Sequence, residues 1–148
     1  KTVAAQGVCP ETQWPYAIDQ FATRPAAPCY TAAVAHKAIR YSRLLQTPSQ
    51  MKGCLAAGFP FSVGITVYDS FETEAVAQSG AVPMPAPSES VLGGHAVLVV
   101  GYDDKSQRFT VRNSWGPDWG IKGYFTLPYA YLTDANLADD LWTIRLVQ

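Results

Sequence analysis

Residues 91–125 read VLGGHAVLVVGYDDKSQRFTVRNSWGPDWGIKGYF, and this stretch decides the fold. The run from His95 to Tyr102 is apolar and β-prone, Asp103–Ser106 has turn composition, and Arg108–Asn113 alternates polar with apolar residues. A β-hairpin follows, then a loop rich in tryptophan and glycine, then a third strand. Alternation places Phe109, Val111 and Asn113 on one face, with Arg108, Thr110 and Arg112 on the other. With Gly101 facing Gln107, the register pairs Val99 with Phe109, Val97 with Val111 and His95 with Asn113. Directly opposed residues have Cβ atoms roughly 4.5–5.5 Å apart, close enough for an amide to hold an imidazole. A slip of one residue breaks the pairing.

A histidine with an asparagine beside it is two-thirds of a cysteine–histidine–asparagine unit. The histidine takes the thiol proton and later protonates the leaving amine, while the asparagine holds the other ring nitrogen and fixes tautomer and tilt. An amide does this without adding a second charge beside a thiolate–imidazolium pair. Trp115, two residues past Asn113, is positioned to roof the pair against water.

His95-Ala96-Val97, Gly101-Tyr102, Asn113-Ser114-Trp115-Gly116 and Trp119-Gly120 through Gly123-Tyr124 resemble the C-terminal half of a papain-like cysteine peptidase. The resemblance implies an α+β chain of papain-like fold, mainly its β-rich right-hand domain with a remnant of the helical one. It makes His95 the general base and acid, Asn113 its orienter and Trp115 the shield, with Trp119 lining the leaving-group side of the cleft. Gly64 would wall the second specificity pocket and leave it roomy. Ala96 would form that pocket's floor, and Gly94, where papain has Asp, completes the substrate-binding set. Ile121 replaces a glutamate of many relatives, a change that touches loop packing.

The family's nucleophilic cysteine stands far upstream of the histidine, at the start of a long helix and after a glutamine of the oxyanion hole. Neither is expected in this chain. The leading expectation is therefore a C-terminal fragment of a thiol peptidase, inactive alone. Its partners would be a peptide or protein substrate and its own N-terminal fragment bearing the cysteine, or a second copy of itself. A dead relative serving as a binding module, and an acyltransferase built on the same triad, are the alternatives.

The 148 residues, 48% hydrophobic and 16% charged, suit one globular unit shorter than a full papain-like domain. A net charge of −1 argues against nucleic-acid or membrane partners, and no apolar run reaches bilayer length. No cofactor is expected. No metal is expected either, since Cys and His lack paired ligand spacing. Lys1–Gln6 reads as the last turns of a helix stopped by Gly7, which with a non-Met start leads to the expectation of a cut chain and leaves the compartment open.

Residues 1–28 are assigned to that helix end and a proline-rich inter-domain linker, and residues 29–148 to the β-rich half-domain. Lys37–Arg43 alternates as a strand, although Tyr30 begins a segment that also suits a short helix. Thr47-Pro48 starts a helix with Met51, Cys54 and Leu55 on one face, and Phe59–Tyr68 is a strand. Asp69–Ser90 is the least structured part, with one helical turn at Ser70–Glu72 and a proline-stiffened loop at Pro83–Pro87. Tyr129–Leu132 forms a helical turn and Leu141–Val147 closes the sheet. His36 carries no motif and reads as a surface or structural residue.

None of the three cysteines reads as a nucleophile. Cys54 belongs inside a helix as an inert thiol, while Cys9 and Cys29 lie in proline-flanked loops. Cys9 and Cys29 are a candidate disulfide, with a bridge from Cys9 to another segment as the alternative.

Overall fold

The computed structural model describes residues 2–147. The chain is α+β, as expected: helices α1 (Thr2–Ala5), α2 (Ala27–Ala33), α3 (Pro48–Ala56), α4 (Glu74–Ser79) and α5 (Tyr129–Thr133), with strands β1 (Ala38–Arg43), β2 (Phe61–Tyr68), β3 (Val91–Asp103), β4 (Arg108–Arg112), β5 (Tyr124–Pro128) and β6 (Ala138–Val147). Strand order is β1-β6-β2-β3-β4-β5, and β2–β3, β2–β6, β3–β4 and β4–β5 are all antiparallel.

Two compact units divide the chain, one of residues 2–41 with 144–147 and one of residues 42–143. In the first, α1 ends where the sequence put its stop: the Gly7 N–H donates to the Val3 carbonyl at 3.1 Å. The ambiguous segment after Cys29 forms both elements that competed for it, α2 and then β1. Val34 to Lys37 separates them, and the His36 carbonyl accepts from the Val8 N–H at 3.2 Å.

In the second unit, Thr47 caps α3 by accepting from the Gln50 N–H, and Pro48 takes the first turn, where no N–H is needed. Met51 and Cys54 face the core, together with the alternate residues Phe61, Val63, Ile65 and Val67 of β2 and Phe109 and Val111 of β4. Burial of these side chains, each contributing roughly 1.5–3 kcal/mol, pins the strands to the face they present. The segment read as least structured holds more order than expected. Asp69–Glu72 makes a 3-10 turn, and α4 follows, capped by Thr73 and ended at Gly80. The strand at the C-terminal end starts at Ala138, three residues earlier than Leu141.

The hairpin register corrects the expectation. Val99 faces Val111, Gly101 faces Thr110 and Asp103 faces Arg108, with an irregularity between Val99 and Gly101. Asp103 causes the tighter turn. Its carboxylate accepts from the Lys105 and Ser106 N–H groups and from the Ser106 hydroxyl, at 3.0, 3.2 and 2.6 Å, closing a loop over residues 104–107. Gln107 completes that loop in the left-handed region, at φ 56°. Val100 is the extra residue of a bulge, which restores alternation on the His95 side.

Candidate active site

His95 lies in β3, opposite Ile65 of β2. Asn113 is the first residue after β4, and its backbone N–H donates to the Gly123 carbonyl at 2.9 Å. Asn113 Oδ1 accepts from the Ser114 N–H at 2.8 Å and lies 2.9 Å from His95 Nε2. The Ser114 donor decides the amide orientation, because a flipped amide would set two donors against each other. Nε2 must then carry the ring proton and donate it, which leaves Nδ1 with the free lone pair. The asparagine therefore selects the tautomer whose Nδ1 can accept a proton. Asn113 is only 8% exposed, and its Nδ2 is buried with no hydrogen-bond partner among the described residues.

Trp115 stacks on His95 with ring centroids 5.1 Å apart and planes 21° from parallel. Trp119 meets Trp115 edge-on at 5.1 Å. Beneath both is Phe71, 1% exposed, stacked on Trp119 at 5.8 Å and edge-on to Trp115 at 5.7 Å and Phe125 at 5.3 Å. Such pairs contribute about 0.5–1.5 kcal/mol each beyond burial. Gly120 fixes the other side of Trp119. Its N–H donates to the Ala77 carbonyl at 2.6 Å, its φ is +61°, and a Cβ there would lie 2.4 Å from the Tyr124 carbonyl oxygen.

Phe71 is held in turn by Glu89. The Glu89 carboxylate accepts from the Ser70 N–H at 2.9 Å and the Ala86 N–H at 2.7 Å, clipping the proline loop to the 3-10 turn. The Ala86 N–H first, then Ser70, hold this carboxyl below its ordinary range.

The three residues expected to bind substrate share one cleft of about 550 Å³, lined by Gly64, Gly94, His95 and Ala96 from β2 and β3 and by Ala135, Asn136, Ala138 and Asp139 on the far side. Gly64 faces Ala96 across one pairing and Asp139 across the other. The cleft differs from the simply roomy pocket expected at a glycine: a Cβ on Gly64 would meet Asp139 Oδ1 at 3.0 Å. Gln46 holds the far wall. Its Nε2 donates to the carbonyls of Leu132, Asp134 and Ala138 at 2.9, 3.2 and 2.7 Å. The buried Tyr131 hydroxyl, pushed up to about 12 chiefly by burial, donates to the Thr66 carbonyl at 2.5 Å and ties α5 to β2.

Cys54 is buried, its thiol directed to the Phe59 carbonyl at 3.3 Å. Cys9 and Cys29 are free thiols, Cys29 directed to the Gln13 carbonyl at 3.8 Å. Desolvation, then a charge on the neighbouring Cys29, push the Cys9 thiol up. None of the residues lining the clefts around His95 and Asn113 is a cysteine.

A family model, that of the papain family cysteine proteases, matches residues 1–141. The chain belongs to the papain family. It is 39% identical over 155 aligned positions to an uncharacterized peptidase C1-like protein of Acanthamoeba polyphaga mimivirus, covering 99% of this chain and 50% of that protein. It is 42% identical over 96 residues to a cathepsin B-like protein of Giardia intestinalis, covering 63% and 29% respectively. Among solved structures, xylellain, a cysteine protease from Xylella fastidiosa, superposes with a TM-score of 0.90 at 38% identity, covering 99% of this chain and 59% of that one. A procathepsin B from Trypanosoma congolense, at 22% identity and a TM-score of 0.71, shares the fold. The chain spans about half the length of the relatives that match its full extent.

The structure brings together His95, Asn113, Trp115 and Trp119, the residues singled out within the papain-family motif. Phe71, Gln46 and Asp139 escaped it. A large aromatic residue between Ser70 and Glu72 was the one available sign for Phe71.

Proposed function

We propose that this chain is the histidine- and asparagine-bearing part of a peptidase that hydrolyses peptide bonds through a Cys-His-Asn triad. The nucleophilic cysteine would come from a segment outside residues 1–148. His95 Nδ1 takes the thiol proton and the thiolate attacks the scissile carbonyl. As the C–N bond breaks, Nδ1 returns the proton to the leaving amine. Nδ1 then takes a proton from water, whose oxygen attacks the thioester carbon, and gives it back to the departing thiolate. Asn113 keeps Nε2–H engaged throughout, and Trp115 covers the imidazole.

The observation that carries this reading is the Ser114–Asn113–His95 hydrogen-bond relay, which leaves Nδ1 as the free base. In this reading residues 1–28 complete the helical side and the linker, while residues 29–148 form the β-rich side.

Labelling the full-length parent with a peptidyl vinyl sulfone, followed by peptide mapping, tests the assignment. The adduct is expected on a cysteine outside residues 1–148, and His95→Ala should prevent its formation. An adduct on Cys9, Cys29 or Cys54, or labelling that survives His95→Ala, overturns it.

A further inference from the structure

The cleft beside His95 carries a charge that the triad does not use. Its walls near the histidine are small and neutral, Gly64, Gly94 and Ala96, and Ala135 and Ala138 continue them on the far side. Asp139 is the sole carboxylate among these lining residues, with Oδ1 standing over the face of Gly64 that has no side chain. The neighbouring carboxylates are engaged. Asp134 accepts from the Asn136 backbone and side chain, and Asp140 accepts from Trp142 Nε1 at 2.7 Å and pairs with Arg43 at 3.7 Å. The Asp139 carboxylate has no hydrogen-bond or ion-pair partner among the described residues.

We infer that Asp139 is a specificity-determining residue that selects a cationic side chain, Lys or Arg, in the peptide substrate. This rests on the peptidase reading above and names the substrate class of that site. Residues 94 and 96 line the cleft on either side of His95, and an extended peptide advances about 3.3–3.6 Å per residue. The side chain that enters the cleft therefore belongs to a residue within two positions of the scissile bond. An aliphatic stem would lie along the glycine and alanine walls while its charged head reaches the carboxylate. A bound peptide also covers the cleft, so the ion pair forms with less solvent screening than on an open surface.

The test measures kcat/KM of the full-length parent on fluorogenic peptides that carry Arg, Lys, Leu or Glu at each position within two residues of the cleaved bond. At one position Arg or Lys should exceed Leu by roughly fivefold or more, the equivalent of an ion pair of about 1 kcal/mol. That ratio should fall toward one in Asp139→Asn, and Asp139→Lys should turn the preference toward Glu. The same peptides, labelled and titrated by fluorescence polarisation against the full-length parent with its nucleophilic cysteine replaced by alanine, give the ratio without turnover and cover any variant too weak to assay. No basic preference in the wild type, or a ratio that survives Asp139→Asn, overturns the inference. Absence of hydrolysis of every peptide would instead defeat the peptidase reading, and the binding ratios would still decide the role of Asp139.

Discussion

Asn113 reaches His95 along a diagonal of the β3–β4 pair, because Val99 faces Val111 and the same count sets Val97 opposite Asn113. Diagonal neighbours have Cα atoms about 7–8 Å apart, a span that an asparagine and a histidine together bridge with a 2.9 Å contact. Carried past the end of β4, that count brings Trp115 level with His95, where its ring stacks. One register thus brings both Asn113 and Trp115 to the His95 ring.

Removing the two members of the pair should have unequal effects. In the full-length parent, His95→Ala is expected to lower kcat/KM by at least about a hundredfold, the usual contribution of general acid–base catalysis. Asn113→Ala should lower it by a smaller factor, since proton transfer survives while tautomer control is lost. Steady-state rates of both variants check the order, and equal losses would contradict separate roles.

The isolated 148-residue chain is expected to be inert toward peptides. Its base has no thiol within the lining of its clefts, and Cys54 is sealed in the core. Cleavage of a fluorogenic peptide that disappears in Cys54→Ser would refute this.

Phe71→Ala should destabilise the chain by about 3–5 kcal/mol, the range for a buried phenylalanine, and displace both tryptophans. Urea unfolding gives the first quantity. The emission maximum of folded protein gives the second, moving to the red as Trp119 gains water. Phe71→Leu should recover part of the stability and less of the tryptophan environment.

Acid should loosen the proline loop before it unfolds the chain. Glu89 has its pKa lowered by the Ala86 and Ser70 donors, so its contribution is complete above the ordinary carboxylate value of about 4.3 and is lost as pH falls through the lowered folded value. Limited proteolysis between Ala81 and Ser90 should accelerate below about pH 4. Glu89→Gln keeps the shape but loses the charge, and should show faster cleavage already at pH 7.

The sequence made some of this legible for a physical reason: turns, caps and alternating strands depend on neighbours along the chain. Thr47 and Pro48 announced α3, and the alternation of Phe109, Val111 and Asn113 announced a buried face. The hairpin register depended on how the Asp103 side chain closes its own turn, which composition alone leaves open. Phe71, Gln46 and Asp139 belong to long-range geometry. Each acts on residues distant in the chain, and the sequence around each is ordinary polar loop or strand end. The α+β class was readable because it summed many local signals, whereas the cleft's charge hung on one β2–β6 pairing.

Gln46 also makes the far wall of the cleft vulnerable to chemical ageing. Deamidation would exchange a single NH2 group for oxygen and turn a donor shared by three carbonyls into an acceptor facing all of them. A protein altered so slightly in mass would keep its hairpin and its aromatic cluster while the strand entry at Ala138 lost its anchor. Long storage would then loosen the wall that carries Asp139 before it disturbed the hairpin.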